Sequence, residues 1–444
     1  MASVRRRGKG DARRLAFGVP ETSASPSAPS SPPSAFAALR IQDFRWYIAG
    51  LLSFTIAVQI QGTVVGWQMY GLTHDKLALG LIGLAEALPF IGTSLFAGNV
   101  VDRHDRRTIA LLALGVLVGC SVALLALPLL LPTAPRLVSA AIYSVIVVSG
   151  FARSFLTPAR QALGAELVPR PLYRNAITWR SGTWQLASVA GPAVGGVLFA
   201  LGGTTLSYTV VTVLVIAGAV AIWRVRHRRD VRRDQPHAVD RSLSVGLRFV
   251  WSEPVLIGAL SLDMFSVLFG GATALLPVFA ADILHVGPQG LGILRAAPAM
   301  GAVLTSVSLA YLPSFRTAGR TLLQAVMLYG LCMIGFGLSK NFALSVAVLA
   351  VSGAADMVSV FIRSTLIQSM TPGHMLGRVS AVNSIFVGSS NEIGAFESGV
   401  SAKLLGTVPS VVLGGVATLV VVAATASRIP QLRRLRQLDD RAAP

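Results

Sequence analysis

The chain has 444 residues, of which 53% are hydrophobic and only 13% are charged. Soluble domains carry about 25% charged residues, so a water-soluble globular enzyme is excluded at the outset. The formal net charge of +19 raises nucleic acid as a partner, but the positions of the basic residues decide against it.

Residues 1–35 are basic at Arg5-Arg6-Arg7 and then rich in Ser, Pro and Ala from Ser23 to Ser34. Such a composition cannot bury a core and reads as a disordered tail. It is not a cleavable signal peptide, because no apolar core follows the arginines before the first long helix. A bilayer span needs roughly 20 mostly apolar residues. Stretches of that kind fall at 47–70, 78–100, 108–131, 137–162, 181–200 and 204–223. A basic polar run from Arg224 to Arg241 follows, and six further apolar stretches lie at 254–280, 288–312, 321–338, 342–369, 379–402 and 408–427. The expected organisation is a cytoplasmic tail over 1–35, a six-helix half over 36–224, a basic cytoplasmic linker over 225–245, a second half over 246–428 and a cytoplasmic tail over 429–444.

The charges fit this layout. Arg103, Arg106, Arg107, Arg170, Arg174, Arg180, the run from Arg224 to Arg248, Arg316, Arg320, Arg378 and Arg428 to Arg441 all fall in alternate connections or at the C-terminus. The other connections hold only Lys76, Arg136, Lys340 and Lys403. Basic residues collect on the cytoplasmic side of membrane proteins, so both termini are expected inside. The high charge is a record of topology, and no nucleic acid partner is expected.

An internal repeat is visible. A shift of 203 positions sets Arg160 on Arg363, Leu163 on Leu366, Pro169 on Pro372, Gly191 on Gly394 and Gly196 on Gly399. A shift of 209 sets Gly83 on Gly292, Pro89 on Pro298 and Gly92 on Gly301. Near-constant offsets point to a six-helix unit duplicated in parallel, a transporter plan that places the substrate site between the halves at mid-bilayer. The fold class expected is an all-α integral membrane protein of twelve transmembrane helices in two pseudo-symmetric halves.

Cys120 and Cys332 lie in apolar stretches of different halves, which argues against a disulfide framework. His74, His104, His227, His237, His285 and His374 fall in connections, and no GxxxxGK[ST] loop occurs. No metal site, no cofactor, no ATPase and no catalytic constellation is expected.

The connection after the second stretch reads Gly98-Asn99-Val100-Val101-Asp102-Arg103-His104-Asp105-Arg106-Arg107. It resembles motif A of the major facilitator superfamily, G-x-x-x-D-R-x-G-R-R, with Asp105 in place of the second glycine. Gly98 is expected to let two helices pack closely, and Asp102 to meet the partial positive charge of a helix N-terminus. Gly191-Pro192-Ala193-Val194-Gly195-Gly196 resembles the end of motif C, which that superfamily associates with exporters. Further stretches narrow the resemblance: Pro158 to Leu163, Ala274 to Ala280, Gly290 to Pro298, and Met375 to Val379. Over roughly residues 36–428 the chain is similar to bacterial drug and siderophore exporters. The resemblance implies a proton-driven exporter of small molecules in the bacterial inner membrane.

Charges inside spans are costly and mark function by default. Those here are Glu86, Arg153, Asp263, Arg295, Asp356, Arg363, Glu392 and Glu397. Asp263, Glu392, Glu397 and Glu86 are candidates for proton coupling, since a desolvated carboxylate takes up a proton more readily. Arg153, Asp356 and Arg363, with Gln59, Gln61 and Trp67 of the first span, are candidates for the cavity and its substrate. Tyr70 is expected to anchor at the membrane interface. The shift of 203 also sets Arg153 on Asp356, so these two are expected to face each other across the cavity as a charge pair. The function expected is efflux of a small hydrophobic or amphipathic compound by alternating access, the partners being that substrate, protons and lipid, with the chain acting as a monomer. An importer or lipid flippase on the same fold, and a non-transporting sensor or scaffold, stay open at this point.

Overall fold

The computed structural model describes residues 35–130, 134–226, 243–311, 317–373 and 375–435. Most of the proposed N-terminal tail, the central linker and the final residues, including Lys9, His227, Arg229, His237 and Arg436, lie outside the described residues, as does His374. Inside a bilayer no water satisfies backbone N–H and C=O groups, so apolar stretches of this length become helices. The first half contains α1 (Gln42–Thr73), α2 (Lys76–Arg103), α3 (Arg106–Leu130), α4 (Pro135–Glu166) and α5 (Tyr173–Arg224). The second contains α6 (Leu243–Ser252), α7 (Pro254–Gly270), α8 (Leu276–Val278), α9 (Gly287–Tyr311), α10 (Ala318–Leu338), α11 (Phe342–Met370), α12 (Leu376–Leu405), α13 (Thr407–Arg428) and α14 (Pro430–Arg434).

Ten helical stretches are long and apolar enough to cross a membrane. One of them, Arg170–Arg224, supplies two spans, because α5 breaks at Gly202 and Gly203. The contacts with α1 show the reversal. Gly191 abuts Gln59 and Gly195 abuts Ile60, so the first arm runs parallel to α1. Past Gly203 (φ 60°), the Tyr208 hydroxyl donates to Gln68 at 2.5 Å and Gly218 abuts Gly50, so the second arm runs back. At φ 60° combined with ψ −152° only glycine fits without strain. The span that completes twelve is the eleventh in chain order, α12, 30 residues long but made polar by Asn391, Glu392 and Glu397.

The seventh span differs from the continuous helix expected over 254–280. α7 stops at Gly270, a 3-10 turn follows over Ala272–Leu275, and α8 runs into a π-turn over Phe279–Ile283. Gly270 and Gly271 weaken the helix, and Pro277 removes a backbone donor. The expected tail also begins differently: α14 tucks back, with Leu432 buried beside Gly258 and Gly319.

The duplication is visible in the packing. A Cβ at Gly150 of α4 would stand 2.7 Å from Pro89 Cγ and 2.8 Å from the Glu86 carbonyl oxygen of α2. The equivalent residues repeat this crossing, with Gly353 of α11 pressed against the Pro298 backbone of α9. The tight turns repeat too. His74 (φ 48°) and His285 (φ 52°) end corresponding spans, as do Gly203 (φ 60°) and Gly406 (φ 96°). These turns define one face of the bundle; the arginine-rich connections define the other, called here the basic face.

Candidate functional site: a charged cavity between the halves

A cavity of about 550 Å³ lies between the two halves, lined by residues of α1, α2, α3, α4, α5, α9 and α12 and of the turn before α8. Apolar side chains of Phe54, Val58, Leu79, Ile82, Ile146 and Trp184 form part of its wall. Gln59, Gln61, Asn391, Glu86, Arg153, Arg295 and Glu392 add a polar belt. Binding pockets bring apolar surface and placed polar groups together in this way.

Glu86 of α2 and Arg153 of α4 form an ion pair inside the first half. Their side chains remain 27% and 31% exposed, facing the cavity. Arg153 also acts electrostatically on Glu392, whose carboxylate comes from the opposite half and lies beside Gly83. Three charges from three helices thus share one side of the cavity. Arg295 lies elsewhere on the wall. Its guanidinium crosses the boundary between the halves and donates to the Gly62 carbonyl at 2.6 Å. Gly62 and Gly66 leave the notch that receives it.

Several expectations are corrected. Arg153 does not face Asp356: its partner is Glu86, within its own half. Asp356 and Arg363 are not cavity residues. Arg363 pairs with Asp263 of α7, with side chains only 5% and 7% exposed. Asp263 and Asp356 line a separate small hole inside the second half. The duplication relates these positions, but Arg153, Asp263 and Arg363 find their ion-pair partners within their own helix bundles, where the path is shorter than across a water-accessible cavity. Trp67 also lies off the cavity lining, edge-on to Phe199 at 6.4 Å. Glu397 is hydrogen-bonded by Ser401 rather than lining the cavity. Tyr70 is buried, and its hydroxyl donates to Asp282 across the boundary between the halves, so it is not an interfacial anchor.

Toward the face opposite the basic one, the halves close on each other. Gly80 and Gly399 meet backbone to backbone, an added Cβ on Gly80 standing 3.0 Å from the Gly399 Cα. On the other side of the pseudo-axis, a Cβ added to Gly196 would stand 3.1 Å from the Gly292 Cα and still closer to the Pro288 carbonyl oxygen. Gly191 and Gly195 of the motif C-like run face α1, and Pro192 turns its carbonyl to Gly292. The small residues therefore build both the α1 packing and the contact between halves. Lys403 also donates to Asp75 at 2.9 Å across the boundary. That bond holds the Asp75 carboxyl below the ordinary carboxylate range. The pair therefore persists above the lowered value and is lost as pH falls through it; exposed as it is, it contributes at most about 1 kcal/mol. Neither cross-boundary contact was readable beforehand, since Tyr70, Asp75, Asp282 and Lys403 carry no pattern that links them along the chain.

The motif A-like connection stands on the basic face. Asp105, where the motif has glycine, caps α3 by accepting from the Thr108 amide at 3.0 Å and hydroxyl at 2.6 Å. Arg106 pairs with Glu166 at the end of α4 at 2.5 Å, and Arg107 donates to the Trp223 carbonyl. Asp102 is half-buried and Arg103 exposed. Gly98 corrects its expectation: no described atom lies within 4 Å of a Cβ built there, so it mediates no close helix contact in this conformation.

A family model described as transmembrane secretion effector matches residues 33–443. The chain belongs to this family, within the major facilitator superfamily. The enterobactin exporter EntS of Citrobacter koseri is 29% identical over 400 residues, covering 88% of this chain and 92% of that protein. The enterobactin exporter EntS of Escherichia coli gives the same identity and coverage. Among solved structures, a bacterial homologue of the human lysosomal transporter Spinster, in an inward-facing and unoccupied conformation, superposes with a TM-score of 0.65 at 15% identity, over 91% of this chain and 99% of that one. A bacterial homologue of the iron transporter ferroportin, in an inward-facing state, gives 0.67 at 17% identity, over 88% and 99%. The family member described here is thus a multi-pass membrane transporter of small molecules.

Proposed function

We propose that this transporter exports a small amphipathic compound, of siderophore or drug type, from the bacterial cytoplasm by proton-coupled alternating access, acting as a monomer. The observation that carries the proposal is the cavity of about 550 Å³ shared by both halves, which combines apolar side chains with a polar belt charged at Glu86, Arg153, Arg295 and Glu392. Such a lining suits a compound with an apolar body and a few polar groups. The export direction draws on the exporters this chain is similar to and on the Gly191-Pro192 run. With the basic face cytoplasmic, as its arginines favour, the closure at Gly80–Gly399 and Gly196–Gly292 makes the present conformation inward-facing.

Glu392 is the cavity carboxylate we assign to the transported proton. It competes with Glu86 for a single neighbouring cation, Arg153. Protonation frees Arg153 for Glu86, and deprotonation sets two carboxylates around one guanidinium. In everted membrane vesicles, a panel of catecholate siderophores and amphipathic drugs is expected to include a compound accumulated against its gradient when the lumen is acid. Nigericin should abolish that accumulation. Glu392→Gln should keep binding and lose gradient-driven transport. Accumulation indifferent to the pH gradient sinks proton coupling, and uptake into intact cells sinks export.

Orientation is tested separately. Cysteines at Lys9, Arg229 and Arg436 should stay unlabelled by a membrane-impermeant maleimide added to intact spheroplasts, while one at Lys340 should react. Labelling at Arg229 overturns the inside assignment of the basic face.

A further inference from the structure

The cavity carries its charges as two poles. The shift of 209 that sets Gly83 on Gly292 and Pro89 on Pro298 also sets Glu86 on Arg295, so one position of the repeat holds an acid in the first half and a base in the second. Gly83 and Gly292 stand at matching crossings between the halves, Gly83 against α12 and Gly292 against α5. Glu86 and Arg295 follow one turn later along α2 and α9, and both line the cavity. Equivalent positions of a parallel duplication lie on opposite sides of the axis at similar depth. The two charges therefore belong to opposite walls, just inside the closed end of the cavity.

The acidic pole supplies its own counter-charge. Glu86 pairs with Arg153, and the same arginine acts on Glu392. The cationic pole does not. Among the described residues no carboxylate stands within ion-pair distance of Arg295. Its hydrogen bond among them goes to the uncharged Gly62 carbonyl, at 2.6 Å. A guanidinium carries five N–H donors in a planar fork, so most of the fork is left for a ligand. The corner around it is shaped by what is missing. A Cβ built on Gly62 would stand 3.5 Å from Arg295 Nη2, and one on Gly66 would stand 3.7 Å from Nη1 and 3.4 Å from Pro277 Cγ. The two glycines seat the guanidinium against α1, and Pro277, in the broken seventh span, closes the corner. Gln59, one turn before Gly62 on α1, also lines the cavity and brings an amide N–H suited to an oxygen acceptor. A cation drawn partly out of water is compensated best by an anion, and a planar carboxylate matches the guanidinium fork through two parallel hydrogen bonds.

We propose that Arg295 is the seat of an oxyanion on the transported compound, a carboxylate held by the free N–H groups of the guanidinium, and that the substrate is therefore an amphipathic anion. The acidic pole orients it. Two carboxylates share one arginine there, so the negative end of the substrate is turned away from Glu86 and Glu392 and toward Arg295. The apolar body then lies on the wall between the poles. Because the guanidinium also holds the Gly62 carbonyl of the first half, the anion sits where the two halves meet. This names the substrate class of the cavity, and it rests on the function proposed above only in taking that cavity as the substrate site.

The test uses compounds that share one body and differ in the head group: 4-benzoylbenzoate, its neutral amide and a trimethylammonium analogue. Tritiated 4-benzoylbenzoate is bound to the full chain in nanodiscs of zwitterionic lipid at neutral pH and displaced by each unlabelled compound. The acid should bind at least about 10-fold more tightly than the amide, as a charged hydrogen bond implies, and the ammonium compound should bind least. Arg295→Met should bring the acid down to the amide. Arg295→Lys should hold an intermediate preference, since the charge stays and the fork is lost. The benzophenone body is photoreactive, so irradiating the parent protein should label peptides of α1 or α9, and excess acid should block the labelling. The proposal is overturned if the acid does not bind or is not preferred, if folded Arg295→Met keeps the preference, or if labelling is confined to α2 and α4. Should Arg295→Met not fold, the labelling of the parent decides. Neither measurement uses a proton gradient. Transport that ignores the pH gradient would refute the coupling reading and leave this preference untouched, and a missing preference beside gradient-driven transport would do the reverse.

Discussion

Arg363→Met is expected to lower the stability of the transporter by about 3–5 kcal/mol, the cost of leaving a buried charge without its partner. Arg363 and Asp263 are almost fully enclosed, and the removed guanidinium is the counter-ion of the Asp263 carboxylate, with Asp356 also near. Adding Asp263→Leu should recover most of the loss, because replacing both members of a buried pair by apolar side chains removes the desolvation cost instead of exposing it. Thermal unfolding in detergent, followed by intrinsic fluorescence, reads both. A double variant no more stable than the single would show that the pair is not what holds α7 to α11. The first half shows that this site has another solution: the equivalent arginine, Arg160, lies over the Phe54 ring at 5.7 Å, so an arginine at this depth is kept by an aromatic face in one half and by a carboxylate in the other.

In the cavity, neutralising either Glu86 or Arg153 should cut transport by about 10- to 100-fold, the equivalent of roughly 1.5–3 kcal/mol for a charged hydrogen-bonded pair. The partner left behind is only partly solvated, and Arg153→Met additionally leaves Glu86 and Glu392 facing one another without a cation. Exchanging the charges, Glu86→Arg with Arg153→Glu, should restore part of the activity. Exchanging Arg153→Asp with Asp356→Arg should not, since these two residues do not meet. Initial rates in everted vesicles with a transported compound separate the cases. Recovery by the second exchange and not the first would reverse the assignment of partners.

The number of spans, the two halves and the face that carries the arginines were all legible in the chain, because they depend on segment length, apolar content and the cost of moving arginine across a bilayer. The glycines of the second and fifth spans were legible as packing positions by their recurrence at constant offsets, and Gly83, Gly196, Gly292 and Gly399 do stand at crossings between the halves. Gly98 shows the limit. It belongs to a recognisable pattern, but whether a glycine touches another helix depends on the conformation adopted, and here that end of α2 is free of such a contact. Polar spans were harder: α12 carries the cavity residues Asn391 and Glu392 and for that reason falls short of a membrane signature.

What composition and repeats determined was thus the set of buried charges, their depth, and the duplication that relates them. What only the tertiary structure decided was their pairing. Glu86 takes Arg153, Asp263 takes Arg363, Arg295 takes a backbone carbonyl and Asp356 takes a water-sized hole. Depth follows from position along a helix, which the chain records directly. Pairing depends on which way each side chain points about its helix axis and on which neighbours stand within a few ångströms, and in a low-dielectric interior electrostatic energy falls so steeply with separation and solvation that a rotation of one helix face changes the partner.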